Sequence, residues 1–199
     1  MSIRSAPLTS FIDAAEAAFR NSAPCAESDR LIRRVFGRLQ TAGARSDIPA
    51  QRQLTCRHLD AACAAASGVS TLSALVENFK AMEPSITWRL GVDRTGTGSP
   101  DLADGHANGM VVGPGGFEDR SDVWLGATVL APHIRYPDHN HPPEEVYLVA
   151  SHGEFMHGDS GWFSPPIGSS FYNTPGITHA MRANDRPLFA FWILLPEQA

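Results

Sequence analysis

Apolar residues in the first 84 positions recur at helical spacing, whereas after Ile86 they recur in short runs bounded by turns. Ser10 and Asp13 have the spacing of a capping box, and Phe11, Ala15, Ala18 and Phe19 share one face of the helix expected there. A second helix is predicted to open at Ser28-Asp29, with Leu31, Val35 and Leu39 on its apolar side. A third runs from Leu54 to Ala66 and stops at Ser67-Gly68. The fourth starts by Ser70-Thr71, carries Leu72, Leu75, Val76 and Phe79 as a stripe, and is halted by Pro84. Beyond Ile86, runs such as GMVVG, DVWLGATVLAP, EEVYLVAS, SSFYNTP and PLFAFWILL alternate with Gly/Pro turns. Many short strands at such spacing predict a sandwich or barrel. The Gly/Asp/Pro-rich stretch from Thr95 to Asn108 reads as a long loop. The expected organisation is therefore a helical region, residues 1–84, covering a β-barrel formed by residues 85–199.

Composition narrows the possible partners. With 199 residues, 43% hydrophobic and 19% charged, the chain can bury a substantial core as one unit. A net charge of -5 and a pI near 5.9 give no basic face for nucleic acid. Arg30, Arg33, Arg34 and Arg38 do cluster on the second helix, but without a helix-turn-helix pattern they read as a solvated face. The N-terminus lacks a charged segment followed by an apolar run, and no stretch approaches the roughly 18 apolar residues of a membrane span, so no membrane partner is expected. Cys25, Cys56 and Cys63 form no CxxC pair, which fits free thiols in a reducing cytoplasm.

The chemistry is concentrated in His139-Asn-His141-Pro-Pro-Glu-Glu145-Val-Tyr147. Alternate residues of an extended chain share a face, so His139, His141, Glu145 and Tyr147 are expected to point one way and Glu144 the other. Two imidazoles and a carboxylate form a ligand set for one divalent ion, with zinc, iron(II), manganese, cobalt and nickel all compatible. His58, His106, His133, His152 and His157 read as surface positions.

HxH-x3-E resembles the first metal-binding motif of the cupins, with His139, His141 and Glu145 in its ligand positions. Pro175-Gly176-Ile177-Thr178-His179 is similar to the second motif, which makes His179 the fourth ligand. Within the cupins, YPDHNHPPEEVYLVASHGEF resembles the dimethylsulfoniopropionate (DMSP) lyases, and among them the DddQ branch in overall size. The resemblance implies a mainly β fold, a single double-stranded β-helix barrel behind N-terminal helices, in a monomer or homodimer. It also implies one divalent metal ion, zinc or iron(II) foremost, and two pocket tyrosines, Tyr147 and Tyr136. The family cleaves DMSP to dimethyl sulfide and acrylate.

That reaction makes chemical sense on these residues. A metal ion can bind the substrate carboxylate and stabilise charge developing beside it. Tyr147 is then the candidate base, provided that a nearby cation favours its phenolate. A sulfonium group favours aromatic faces, for which Trp88, Trp124, Trp162, Trp192, Phe171, Tyr172 and Phe191 are available and Tyr136 adjoins the metal motif. Two other classes share the ligand set. One is an iron(II) dioxygenase of a small thiol or organic acid; the other is a non-catalytic small-molecule sensor.

Overall fold

A computed structural model describes residues 4–196. Helices α1 (Ala6–Ser22) and α2 (Ala26–Leu39) come first, followed by a short strand, β1 (Ala44–Arg45). A 3₁₀ turn over Leu54–His58 leads into α3 (Leu59–Ser67), and α4 (Ser70–Met82) completes the helical layer. Then come β2 (Trp88–Arg89), the short helix α5 (Leu102–Gly105), β3 (His106–Val112), β4 (Glu118–Asp119) and β5 (Trp124–Leu130). The chain continues through β6 (Arg135–His139), β7 (Glu144–Val149) and β8 (Glu154–His157). It ends with β9 (Ser170–Asn173), β10 (His179–Arg182) and β11 (Leu188–Leu195).

The elements depart from their expected boundaries at three places. Ser10 is not a cap: α1 opens four residues earlier, behind Ser5, with Pro7 in its first turn where a missing N–H costs nothing. The second helix likewise opens at Ala26, with Ser28 inside it. Its start is held by the Ser28 hydroxyl and Cys25 rather than by Ser28-Asp29 as a cap. The stretch from Thr95 to Asn108 is a loop only in part, since α5 and the first residues of β3 lie within it.

Two sheets face each other. The larger runs β1-β4-β3-β5-β11-β7-β9, with β2 also paired to β3, and the smaller runs β6-β10-β8. β1 thus comes from the helical region of the chain yet joins the edge of the large sheet. Strand alternation divides the large sheet into two cores. One set (Val111, Ala127, Val129, Val146, Leu148, Phe189, Phe191, Ile193) packs outward under the helices. Phe79 of α4 is the hub there, with ring centroids 5.2 Å from both Phe189 and Phe191 and 6.0 Å from Phe11. The alternate set (Leu130, Tyr147, Val149, Leu188, Ala190, Trp192, Leu194) faces the small sheet and fills the barrel with Phe155 and Met181. This is the mainly β barrel with helical cover that the motifs imply.

The arginine-rich face of α2 is only partly solvated. Arg30 and Arg34 pair with Glu144 at 2.6 and 3.3 Å, Tyr172 donates its hydroxyl to the same carboxylate at 2.7 Å, and Arg38 reaches the Asp122 carbonyl. The expected outward turn of Glu144 therefore gives it a purpose: it clasps α2 to the back of β7. Cys25, Cys56 and Cys63 are free, the last two buried among apolar neighbours. Among the described residues, no helix is long and apolar enough to cross a membrane.

Candidate metal centre and active-site cavity

Sheet register brings the predicted residues together. In the small sheet His139 of β6 stands directly opposite His179 of β10, and His179 opposite His157 of β8, which makes one row of imidazoles. In the large sheet Glu145 of β7 lies between Asn173 of β9 and Leu194 of β11, with Trp124 of β5 next. The two rows face each other across the barrel. Glu145 Oε2 lies 3.2 Å from His179 Nε2 and 3.3 Å from His141 Nε2. His141 lies outside the strands, in the Pro142-Pro143 corner between β6 and β7, where its carbonyl accepts the Gly176 N–H at 2.9 Å.

The tautomers follow from the backbone. His139 Nδ1 lies 3.0 Å from the Pro137 carbonyl, His141 Nδ1 2.9 Å from the Pro143 carbonyl and His179 Nδ1 3.0 Å from the Ile177 carbonyl. A carbonyl can only accept, so each Nδ1 carries the hydrogen and each Nε2 presents a lone pair. One ring nitrogen from each of the three histidines lies within 4.8 Å of the other two, a group able to hold a metal ion. His179 Nε2 is buried and, among the described residues, makes no hydrogen bond despite its nearness to the carboxylate. Lone-pair nitrogens of His141 and His179 crowd a carboxylate oxygen, a cluster of acceptors to which only the Asn173 amide brings an N–H. A divalent cation fits such a donor set.

Burial and neighbouring charge act differently on the groups of the cluster in the metal-free chain. Burial pulls His139 down to about 4, with His179 adding to the effect, so its imidazole is neutral at ordinary pH. Burial alone would raise the Glu145 carboxyl, but contact with His141 and His179 outweighs it and holds the group far below the usual carboxylate range. His141 is drawn down by burial and more than recovered by Glu145, for a net rise.

A cavity of about 320 Å³ opens on this cluster, lined among others by Tyr136, Tyr147, Met110, Trp124, Trp192 and Leu194. Tyr147 is 4% exposed, stacked on Phe171 at 5.3 Å, with its ring 6.2 Å from that of His179. Burial, reinforced by the Glu145 charge, raises its phenol well above the ordinary value. Tyr136 lies edge-on to His139 at 4.8 Å. Simple alternation does not put residues three apart on one face. Here the β6–β10 ladder slips by one residue between His139 and Tyr136, and that irregularity turns both inward.

Of the candidate aromatics, Trp124 and Trp192 line this cavity; Trp88 and Phe191 belong to the core under the helices. Trp162 stacks with Arg182 and Arg135, Tyr172 bonds Glu144, and Phe171 backs Tyr147. Three residues escaped sequence reasoning. His106, read as a surface position in a loop, is fully buried on β3, bonded to Thr128 at 3.1 Å, with its ring 4.3 Å from Tyr136. His157, also read as surface, is half-buried and bonded to Asn173 at 2.8 Å; Asn173 in turn donates to Glu145 at 3.1 Å. Only the alternation of Phe171 with Asn173 in SSFYNTP could have placed Asn173 inside.

Comparison with known proteins points the same way. A family model described as dimethylsulfoniopropionate lyase matches residues 27–190. DddL of Cereibacter sphaeroides, provisionally described as a lyase of this kind, is 28% identical over 100 residues, half of this chain. The match spans 41% of that relative. A chain from crystal structures of the DMSP lyases RdDddP and RnDddQII superposes with a TM-score of 0.71 at 19% identity, covering 96% of this chain and 93% of that one. The DMSP lyase DddQ from Ruegeria pomeroyi DSS-3 superposes at 0.67 and 21% identity, covering 92% and 94%. At these identities the structural likeness is one of fold.

Proposed function

The chain belongs to the dimethylsulfoniopropionate lyase family, and we propose that it cleaves DMSP to dimethyl sulfide and acrylate by β-elimination. The family match carries this reading: it runs over residues 27–190 and contains His139, His141, Glu145, Tyr147 and His179. We assign His139, His141, Glu145 and His179 as ligands of one divalent cation, zinc or iron(II) by their chemistry. When bound, the cation supplies Lewis acidity toward the substrate carboxylate and stabilises charge at the α-carbon.

Tyr147 takes the α-proton. The C–H electrons become the new C=C bond, and the Cβ–S bond breaks with its pair remaining on sulfur, so dimethyl sulfide leaves neutral. Only the phenolate can do this, and burial together with Glu145 opposes it in the metal-free chain. Positive charge among the four ligands favours the phenolate, so base strength and metal occupancy are linked. Trp192, Trp124 and Tyr136 offer aromatic faces to the sulfonium, and Met110 and Leu194 exclude water beside it. Tyr136 positions the substrate against His139.

Incubation of the purified, metal-analysed chain with DMSP tests the proposal. Dimethyl sulfide in the headspace and acrylate in solution should form in equal amounts, at the same rate with and without oxygen, because elimination is redox-neutral. Turnover that stops on oxygen removal would replace the lyase by a dioxygenase, and no dimethyl sulfide under either condition would overturn the reading.

A further inference from the structure

Asn173 is wholly buried on β9, beside Glu145 in register. Its Nδ2 lies 3.1 Å from Glu145 Oε2, and its Oδ1 lies 2.8 Å from His157 Nδ1. A carboxylate can only accept, so the amide nitrogen must face Glu145 and the amide oxygen must face His157. An amide oxygen also only accepts, so His157 Nδ1 must carry a hydrogen. The polarity is fixed link by link: His157 N–H to Asn173, Asn173 N–H to Glu145.

The location matters more than the bonds themselves. Glu145 and Asn173 belong to the large sheet, whereas His139, His179 and His157 form one row in the small sheet. The cation site draws Glu145 from one sheet and His139 and His179 from the other. The His157–Asn173 hydrogen bond crosses the same seam immediately beside it. His157 is the cross-strand neighbour of His179, and Asn173 is the cross-strand neighbour of Glu145. The ring of His157 packs against Phe163 and Phe171, with centroids at 5.2 and 5.8 Å.

We propose that His157 and Asn173 are positioning residues for the cation site, a relay that sets the spacing of the two sheets there and the rotation of the Glu145 carboxylate. Cation affinity then depends on the His157 Nδ1–H, although that ring bonds to none of the four ligands. The proposal rests on the reading that His139, His141, Glu145 and His179 hold a divalent cation. Groups that orient metal ligands typically contribute about 10- to 100-fold in affinity.

The test is zinc binding by the stripped full-length chain in competition with a chromophoric chelator, with the cobalt(II) absorption spectrum as a second readout. His157→Phe keeps a ring but deletes the donor, and should weaken zinc binding by about 10- to 100-fold and alter the cobalt spectrum. In His157→Asn the amide nitrogen can stand where Nδ1 stood, so affinity should return to within a few-fold of wild type, with the wild-type spectrum. Asn173→Ser, smaller than the native residue and free of overpacking, should lose affinity on the same scale, and serves if His157→Phe does not fold. Wild-type affinity in His157→Phe or Asn173→Ser overturns the relay, as does a His157→Asn defect equal to that of His157→Phe, which would leave packing as the cause. Wild-type chain that takes up no zinc or cobalt overturns the cation reading, and the relay with it.

Discussion

Gly126 is where the barrel wall and the cavity constrain each other most tightly. It lies on β5 opposite Trp192 of β11, which is itself opposite Tyr147 of β7. A Cβ at position 126 would stand 2.3 Å from Trp192 Cζ2, 2.4 Å from Cη2 and 2.6 Å from the Gly109 carbonyl. Ordinary contact begins near 3.4 Å. Gly126→Ala therefore forces the indole to retreat by about 1 Å, and overpacking of this kind typically costs about 1–3 kcal/mol. For a chain of this size that is a fall in Tm of roughly 2–12 °C. The indole lines the cavity beside the proposed base, and a misplacement of about 1 Å can cost up to about 100-fold in rate. Thermal unfolding and DMSP turnover should be measured for Gly126→Ala, for Trp192→Phe, which lacks the two clashing atoms, and for the double variant. The double variant should recover the part of the loss caused by the indole, while the part caused by the Gly109 carbonyl remains. Gly126→Ala with wild-type Tm and wild-type kcat/KM, or no coupling between the two substitutions, would refute the assignment of this contact.

Two further outcomes follow from packing and charge. Glu144→Ala removes the carboxylate shared by Arg30, Arg34 and Tyr172. With both arginines more than half exposed, the expected loss is about 1–2 kcal/mol, read in urea unfolding, with zinc content unchanged. Burial pulls His106 from an ordinary value of 6.5 down to about 3, so it stays neutral in the folded chain where the unfolded chain takes up a proton. Its contribution to stability is therefore complete above about pH 6.5 and is lost as the pH falls toward 3, at up to about 1.4 kcal/mol per pH unit. His106→Asn should flatten the pH dependence of unfolding free energy in that window; an unchanged slope contradicts the assignment.

Much of the molecule was legible from residue patterns because the patterns carry their own physics. The stripe Leu72, Leu75, Val76, Phe79 has a helical period, and α4 buries all four. HxH-x3-E places three candidate ligands close together because β6, a proline corner and β7 follow one another in the chain. What stayed hidden depends on contacts between distant strands. Tyr136 shares a face with His139 only through the slip in the β6–β10 ladder, which no local period reveals. His106 looks like a loop residue amid glycine and aspartate, yet pairing of β3 with β5 buries it. Asn173 and His157 are 16 residues apart, each ordinary in its own segment, and acquire meaning only where the two sheets meet. The arginines of α2 looked solvated because their partner, Glu144, lies more than a hundred positions away.

The central claim, that Tyr147 acts as the base beside a metal held by the four ligands, is tested most directly by Tyr147→Phe. The substitution keeps the ring stacked on Phe171 and removes one hydroxyl. General-base contributions are typically about 10²- to 10⁴-fold, so kcat for dimethyl sulfide release should fall on that scale. Zinc or iron content and the folded-state spectrum should remain those of the wild type. Activity within about threefold of wild type, with metal bound, would contradict the account, because such a loss is far below what a general base contributes.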